Sequence, residues 1–448
     1  MALTVQTPNA AWRGSCHDRH DQPFLTTTPA YKKQPSKSRF AIALSLFFLI
    51  NLTSWALNFG KGKPTDFGEL TWTGWTIKDF LGLNEHTNLV FFGSSLVLVP
   101  VAGADADFLN KRLDGSRHHH SVYFESAFKE HTGRGIKTFN FSLPGEMPSD
   151  AYLATNFLLK GLKQPNVIVW GLGPRDFMDN LLPSPSSTDP FHNLSRFGDI
   201  GSISHRVMPD WLDRFNFLLG RLLYFYGNKV DLAGQLAPSY HLVFDKYLPA
   251  PSAGRTFSIF DRRNLLPDYK PCELAPGEAY FRPQSPKERA QFVDNLAEYR
   301  KRYRSVKWDT FITQMEFLAD TLDLAKARGI HVVLVTMPIT AVNRSLIKDY
   351  VWDAYLFSVR ALARSKGASL VDLYSNQMFM QSDFMDTVHL HSGGGKKMLD
   401  VLIDKMSRDR AVRLALGMGA IDATNTSKMQ GQHGYFAPGL SGLKKQPL

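Results

Sequence analysis

Asp386 and His389 stand three residues apart late in the chain, in the run Asp386-Thr387-Val388-His389. Far upstream, an apolar run at 88–92 leads into Gly93-Ser94-Ser95-Leu96. A serine hydroxyl is a poor nucleophile until a base removes its proton, and histidine is the usual base near neutral pH. An aspartate beside that histidine orients the ring and stabilises the imidazolium formed. Each half has a plainer reading. Gly-Ser-Ser after a strand also suits phosphate loops and ordinary turns, and Asp386 could cap a helix. Taken together, in this order, Ser95, His389 and Asp386 point to acyl chemistry through a serine.

These residues need a scaffold that brings distant positions together. From about residue 84 the chain alternates short apolar runs with helical patterns, which predicts an α/β fold. The strand-like runs are 88–92, 136–141, 167–171, 330–337 and 369–374; helical patterns cover 121–131, 149–162, 309–328, 346–366 and 394–408. Several runs lack polar alternation, as expected for parallel strands covered on both faces. The expected assembly is a three-layer, flavodoxin-like sandwich around a central parallel sheet. Such sheets bind ligands beyond the carboxyl ends of their strands. There the sequence offers Ser94 and Ser95, then Asn140 to Gly145, then Gly173-Pro174-Arg175-Asp176, and finally Asp386 and His389.

The set resembles the SGNH (GDSL-like) hydrolase superfamily. Its Gly-Asp-Ser-Leu block matches Gly93-Ser94-Ser95-Leu96, its oxyanion glycine matches Gly145, and its Asp-x-x-His block matches Asp386 and His389. The resemblance implies Ser95 as nucleophile, His389 as base and Asp386 as its orienting acid. It implies an oxyanion and substrate site around Gly145, Arg175, Asn140 and Ser94. Two positions depart from the pattern: Ser94 replaces the aspartate before the nucleophile, and Arg175 replaces the asparagine of Gly-x-Asn-Asp. An arginine could donate to a developing oxyanion, or it could fill the position through an ion pair with Asp176. The phrase Phe92-Gly93-Ser94-Ser95, the N-terminal apolar segment and a long insertion are similar to the cell-envelope branch, which includes DltD-like and alginate O-acetylation proteins. That branch implies an esterase or O-acyltransferase acting on an acylated glycan or other envelope polymer, with a membrane acyltransferase as a conceivable partner. An inactive SGNH-fold binding or assembly protein is the alternative.

Residues 40–59 carry no charge and have the length of a bilayer span. Six cations (Arg13, Arg19, Lys32, Lys33, Lys37, Arg39) precede it against Asp18 and Asp21, which predicts a cytoplasmic N-terminus and an external main domain. A signal-anchor at 39–60 is preferred to a cleaved leader, because almost forty residues precede the apolar run and no small-x-small site follows it. The expected organisation is a disordered tail at 1–38, the anchor, the SGNH-like domain at 84–176 and 309–410, a mainly helical insertion or cap at 177–308, and a flexible tail at 411–448. Within the insertion, Trp211 to Tyr226 read as an aromatic helix that lines an acyl pocket, grazes a membrane or, preferentially, packs on the main domain. A basic run, Arg300 to Arg304, closes the insertion.

The net charge of +11 is scattered rather than gathered on one element, which argues against nucleic acid. Cys16 and Cys272 cannot make a disulfide framework. His118, His119 and His120 lack partners at metal-ligand spacing and are expected in a solvated loop. His391 is either a substrate contact or a helix-cap neighbour. No nucleotide fingerprint appears, so neither cofactor nor metal is expected.

Overall fold

The computed structural model describes residues 37–66, 71–229, 231, 232, 236, 280–375 and 378–419. Both cysteines, nearly all of the expected N-terminal tail and most of the C-terminal one lie outside them. The chain forms two units, ending at and starting after Ala56. The first contains all but the last residue of helix α1 (Lys37–Leu57), whose Ser38–Leu57 stretch is long and apolar enough to cross a membrane. Two of its polar residues bond back to the helix's own carbonyls. Asn51 Nδ2 donates to the Phe47 carbonyl at 2.9 Å and Thr53 Oγ1 to the Leu49 carbonyl at 2.9 Å.

The second unit is built on five parallel strands: β1 (Leu89–Phe92), β2 (Thr138–Asn140), β3 (Val167–Leu172), β4 (His331–Thr336) and β5 (Ser369–Asp372). They lie in the order β2-β1-β3-β4-β5, the doubly wound arrangement expected from the alternating pattern. Helices cover both faces. On one, α10 (Ser392–Arg408) packs against α3 (Ser95–Leu109) and α4 (Val122–Thr132); on the other, α8 (Trp308–Ala327) packs against α5 (Pro148–Phe157) and α9 (Asp349–Lys366). A further helix, α2 (Trp72–Gly82), precedes β1. The central strands are buried throughout, with Phe92 packed edge-on against Phe141 and Trp170. Burying such aromatic side chains supplies much of a core's stabilisation, about 1.5–3 kcal/mol each.

Several sequence expectations change here. Helices α2 and α3 follow no pattern visible in the sequence. The domain runs past residue 410, because Asp409 caps a helix at Arg410–Ala415 through the Ala411 and Val412 N–H groups. The three histidines lie in a loop, as expected, but only His120 is exposed. His119 is only 6% exposed and stacks on Phe139 at 5.0 Å. His118 Nε2 lies 2.7 Å from the fully buried Asp105, and His120 Nδ1 lies 3.7 Å from Glu125. The aromatic stretch forms α6 (Trp211–Leu222), none of whose residues is buried. Phe217 packs partly against the core, as expected of this stretch, while Trp211, Phe215, Leu218 and Leu222 stay exposed.

Candidate active site

Ser95 begins α3 directly after the turn Gly93-Ser94 that leaves β1. That turn admits only glycine at its first position. Gly93 has φ +142, and a Cβ there would come within 2.8 Å of the Gly171 carbonyl and 2.6 Å of the Val97 side chain. The backbone therefore swings close against β3 and presents Ser95 beyond the strand end. At the other side of the site, Gly395 crosses α3 so closely that a Cβ would lie 2.3 Å from the Pro100 carbonyl. This contact draws the start of α10, and the loop carrying His389, against the start of α3.

The result is a continuous relay. His389 Nε2 lies 2.8 Å from Ser95 Oγ, and His389 Nδ1 lies 2.6 Å from Asp386 Oδ2. An ionised carboxylate only accepts, so Nδ1 carries the proton and Nε2 is left to accept from the serine. Asp386 Oδ1 accepts from the Val388 and His389 N–H groups at 2.8 and 2.7 Å. Burial alone would raise the Asp386 pKa, but these bonds, led by that from the His389 ring, hold it below the usual carboxylate value. Thr387, between acid and base, is pinned from outside: its carbonyl accepts from Thr340 N–H at 3.1 Å, and its hydroxyl from Asn343 Nδ2 at 2.9 Å.

A cavity of about 210 Å³ opens beside the relay, lined by Ser94, Ser95, Gly145, Arg175 and His389 among others. Among the described residues, the N–H groups of Ser95 and Gly145 make no hydrogen bond. Gly145 has φ +77, and the Arg175 guanidinium lies 3.4 Å from where its Cβ would be. Arg175 is a wall of the cavity, held at Nε by Asp179 at 2.8 Å and flanked by Asp176 at 3.6 Å. Burial would lower its pKa, yet Asp179 and Asp176 keep it above the ordinary guanidinium value. Burial in turn pushes Asp176 up to about 6, against the pull of Arg175 and of the Gly173 N–H.

Five of the seven site residues expected outside or within the relay (Ser95, His389, Ser94, Gly145 and Arg175) meet at this cavity, with Asp386 behind His389. Asn140 does not join them. It is 2% exposed, and its Oδ1 accepts from the Ser142 N–H at 3.1 Å, so it shapes the turn after β2. His391 caps α10, accepting at Nδ1 from Gly394 N–H at 3.1 Å. No group of three or more metal-ligating side chains occurs among the described residues.

Two features were not foreseen. The opposite wall of the cavity comes from helix α7 (Leu296–Arg302) and its flanks, as Asn295, Glu298, Tyr299, Arg302 and Tyr303. Arg302, which lies in the basic run, pairs with Asp179 and Glu298 and so shares an acid with Arg175. Val293 N–H bonds to the Met385 carbonyl at 2.9 Å, which joins this wall to the relay loop. The second feature is Glu146. Its buried Oε2 accepts from Leu143 N–H at 3.1 Å and Gly93 N–H at 3.4 Å, tying the turn before Ser95 to the turn carrying Gly145. Burial, then neighbouring Asp150, raises its pKa well above the usual value, against the pull of the two N–H groups.

No protein-family model and no curated sequence matches the chain. Among solved structures, it is similar to a lipase/acylhydrolase from Enterococcus faecalis at 10% identity and TM-score 0.31, covering 72% of this chain and 95% of that one. It is also similar to a mutant acetyl-xylooligosaccharide esterase from Geobacillus at 10% identity and TM-score 0.30, covering 75% and 97% of the two chains.

Proposed function

We propose that this chain is a serine esterase or O-acyltransferase of SGNH type, anchored by α1 and acting on acyl esters of an envelope glycan or related polymer. One observation carries the chemistry: a single imidazole lies within hydrogen-bond reach of both Ser95 and Asp386, beside an open cavity. Ser95 Oγ attacks the acyl carbonyl as His389 Nε2 takes its proton. The tetrahedral oxyanion receives the free N–H groups of Ser95 and Gly145, and Arg175 Nη2, which has no hydrogen-bond partner among the described residues. His389 then protonates the departing alcohol, leaving the acyl group on Ser95. Water or a sugar hydroxyl, deprotonated by the same imidazole, takes up the acyl group and frees the serine. The anchor, its cationic N-terminal flank and the Phe92-Gly93-Ser94-Ser95 phrase support the envelope setting with the main domain outside the cytoplasm.

The full-length chain in detergent should hydrolyse a chromogenic acetyl ester and take up a fluorophosphonate on Ser95. Absence of both with the folded protein would overturn the chemistry. A second reading, an SGNH-fold binding protein without turnover, draws on the pinning of Arg175 by Asp179 beside Gly145. It predicts no labelling and no ester hydrolysis, with unchanged binding of the polymer by Ser95→Ala.

A further inference from the structure

Helix α6 is built inside out for a soluble domain. Trp211, Phe215, Leu218 and Leu222 recur at helical spacing and form one stripe. They are 73%, 48%, 50% and 68% exposed, and Leu212 beside them is 50% exposed. The opposite side turns toward the protein. Asp213, Asn216 and Phe217 line a groove against the body, and Arg221 reaches Asp199 at 2.8 Å. An amphipathic helix normally buries its apolar stripe and leaves its charges in water. Here Phe217 and the polar side face the body, and the Trp211, Phe215, Leu218 and Leu222 stripe is offered outward.

The chain that follows α1 is fastened to the same region. Gly62 N–H donates to Asp231 at 3.2 Å, and Arg196 donates to the carbonyls of Lys63, Pro64 and Asp66 at 3.1–3.2 Å while pairing with Asp231 at 3.1 Å. Only four residues separate Leu57 from Gly62, a contour of at most about 18 Å over the five steps. The insertion is thus stapled within a short reach of where the apolar segment ends. We infer that the Trp211–Leu222 stripe lies in the interfacial layer of the bilayer that α1 spans, as a second contact that fixes the domain's orientation. The inference rests on the membrane reading of α1 and not on the serine chemistry. A tryptophan at one end of a leucine- and phenylalanine-rich stripe suits that layer, where an amphipathic helix lies flat with its apolar side inserted.

The test uses the full chain with Cys16→Ser and Cys272→Ser, reconstituted in phosphatidylcholine–phosphatidylglycerol vesicles. Single cysteines replace Leu218 on the stripe, Asn216 on the opposite side and Leu49 in α1, each carrying an environment-sensitive dye. Lipids bearing a nitroxide near the headgroup are the quencher for positions 218 and 216, and lipids bearing it near the acyl-chain end are the quencher for position 49, which lies near the middle of the span. The expected result is several-fold quenching at positions 218 and 49 and little at 216. Quenching at 49 without quenching at 218 overturns the inference while leaving the anchor intact. No quenching at 49 removes the membrane reading and the inference with it. A dye at 218 that is shielded equally in detergent, or only at high protein concentration, also overturns it, by pointing to another segment of this chain or a second copy as the cover.

Discussion

The molecule pairs histidine with aspartate at nearly the same distance in two places. His389 Nδ1 meets Asp386 at 2.6 Å, and His118 Nε2 meets Asp105 at 2.7 Å. Asp105 spends its other capacity on the Val122 and Tyr123 N–H groups, at 2.9 and 2.8 Å, and so caps α4. Neither His118 nor Asp105 borders the cavity. Asp386 instead braces its own loop, and the far nitrogen of His389 meets a serine hydroxyl beside open volume. The pair itself is therefore not the signature of catalysis. What distinguishes the two is the partner of the second ring nitrogen.

Substitutions should separate the two pairs cleanly. Ser95→Ala or His389→Ala should cost on the order of 10⁴-fold or more in kcat, measured by ester hydrolysis, whereas His118→Ala should leave kcat unchanged. Loss of turnover in a stably folded His118→Ala would break the contrast. Asp386→Asn should lower kcat by about 10⁴-fold, because an amide no longer enforces the Nδ1–H tautomer; Asp105→Asn should not. A smaller effect is expected at Arg175. Its replacement by Gln should reduce kcat by about 10²–10³-fold with KM little changed, if the guanidinium serves the oxyanion. A faster Arg175→Gln enzyme would mean that the arginine obstructs the site.

On the structural side of the contrast, Asp105→Ala leaves the buried Tyr123 N–H, the partly buried Val122 N–H and His118 without their acceptor. A loss of about 2 kcal/mol in unfolding free energy is expected, read from denaturant titration, while Asp386→Ala should cost stability less than turnover. The smallest effect concerns pH. Burial raises the Asp150 carboxyl from 3.8 to about 7, although the Met147 N–H and Thr188 hydroxyl oppose it. A carboxyl whose pKa rises on folding keeps a proton that the unfolded chain has lost. Its contribution is complete below the unfolded value and is lost as pH rises through the folded one. Melting temperature should accordingly fall between about pH 4 and 7, with a shallower slope in Asp150→Asn.

The strands were legible as apolar runs because both faces of a parallel sheet are covered, and Ser95, Asp386 and His389 stood out through residue type and order. Helix α3 was not. It is buried nearly all round, from Leu96 to Ala106, so no polar side marks its period, and Pro100 within it discourages a helical reading. The far wall was hidden for a different reason. Asn295, Tyr299, Arg302 and Tyr303 repeat at the spacing of any helix face, and nothing local tells a cavity lining from a core stripe. Asn140 misled because an asparagine at a strand end serves a turn as readily as a ligand. The mixed environment of His118 to His120 depends on Asp79, Asp105 and Glu125 folding around them, which no spacing rule announces.

The α7 wall closes the site from the end of a long excursion between β3 and β4. Under the proposed chemistry, the groups that would break and make bonds flank that excursion in sequence, and much of what would exclude or admit a substrate lies at its end. On that reading, exchange of the excursion alone would shift selectivity, and replacement of 293–303 is the natural route to a new preference with the proposed relay left in place.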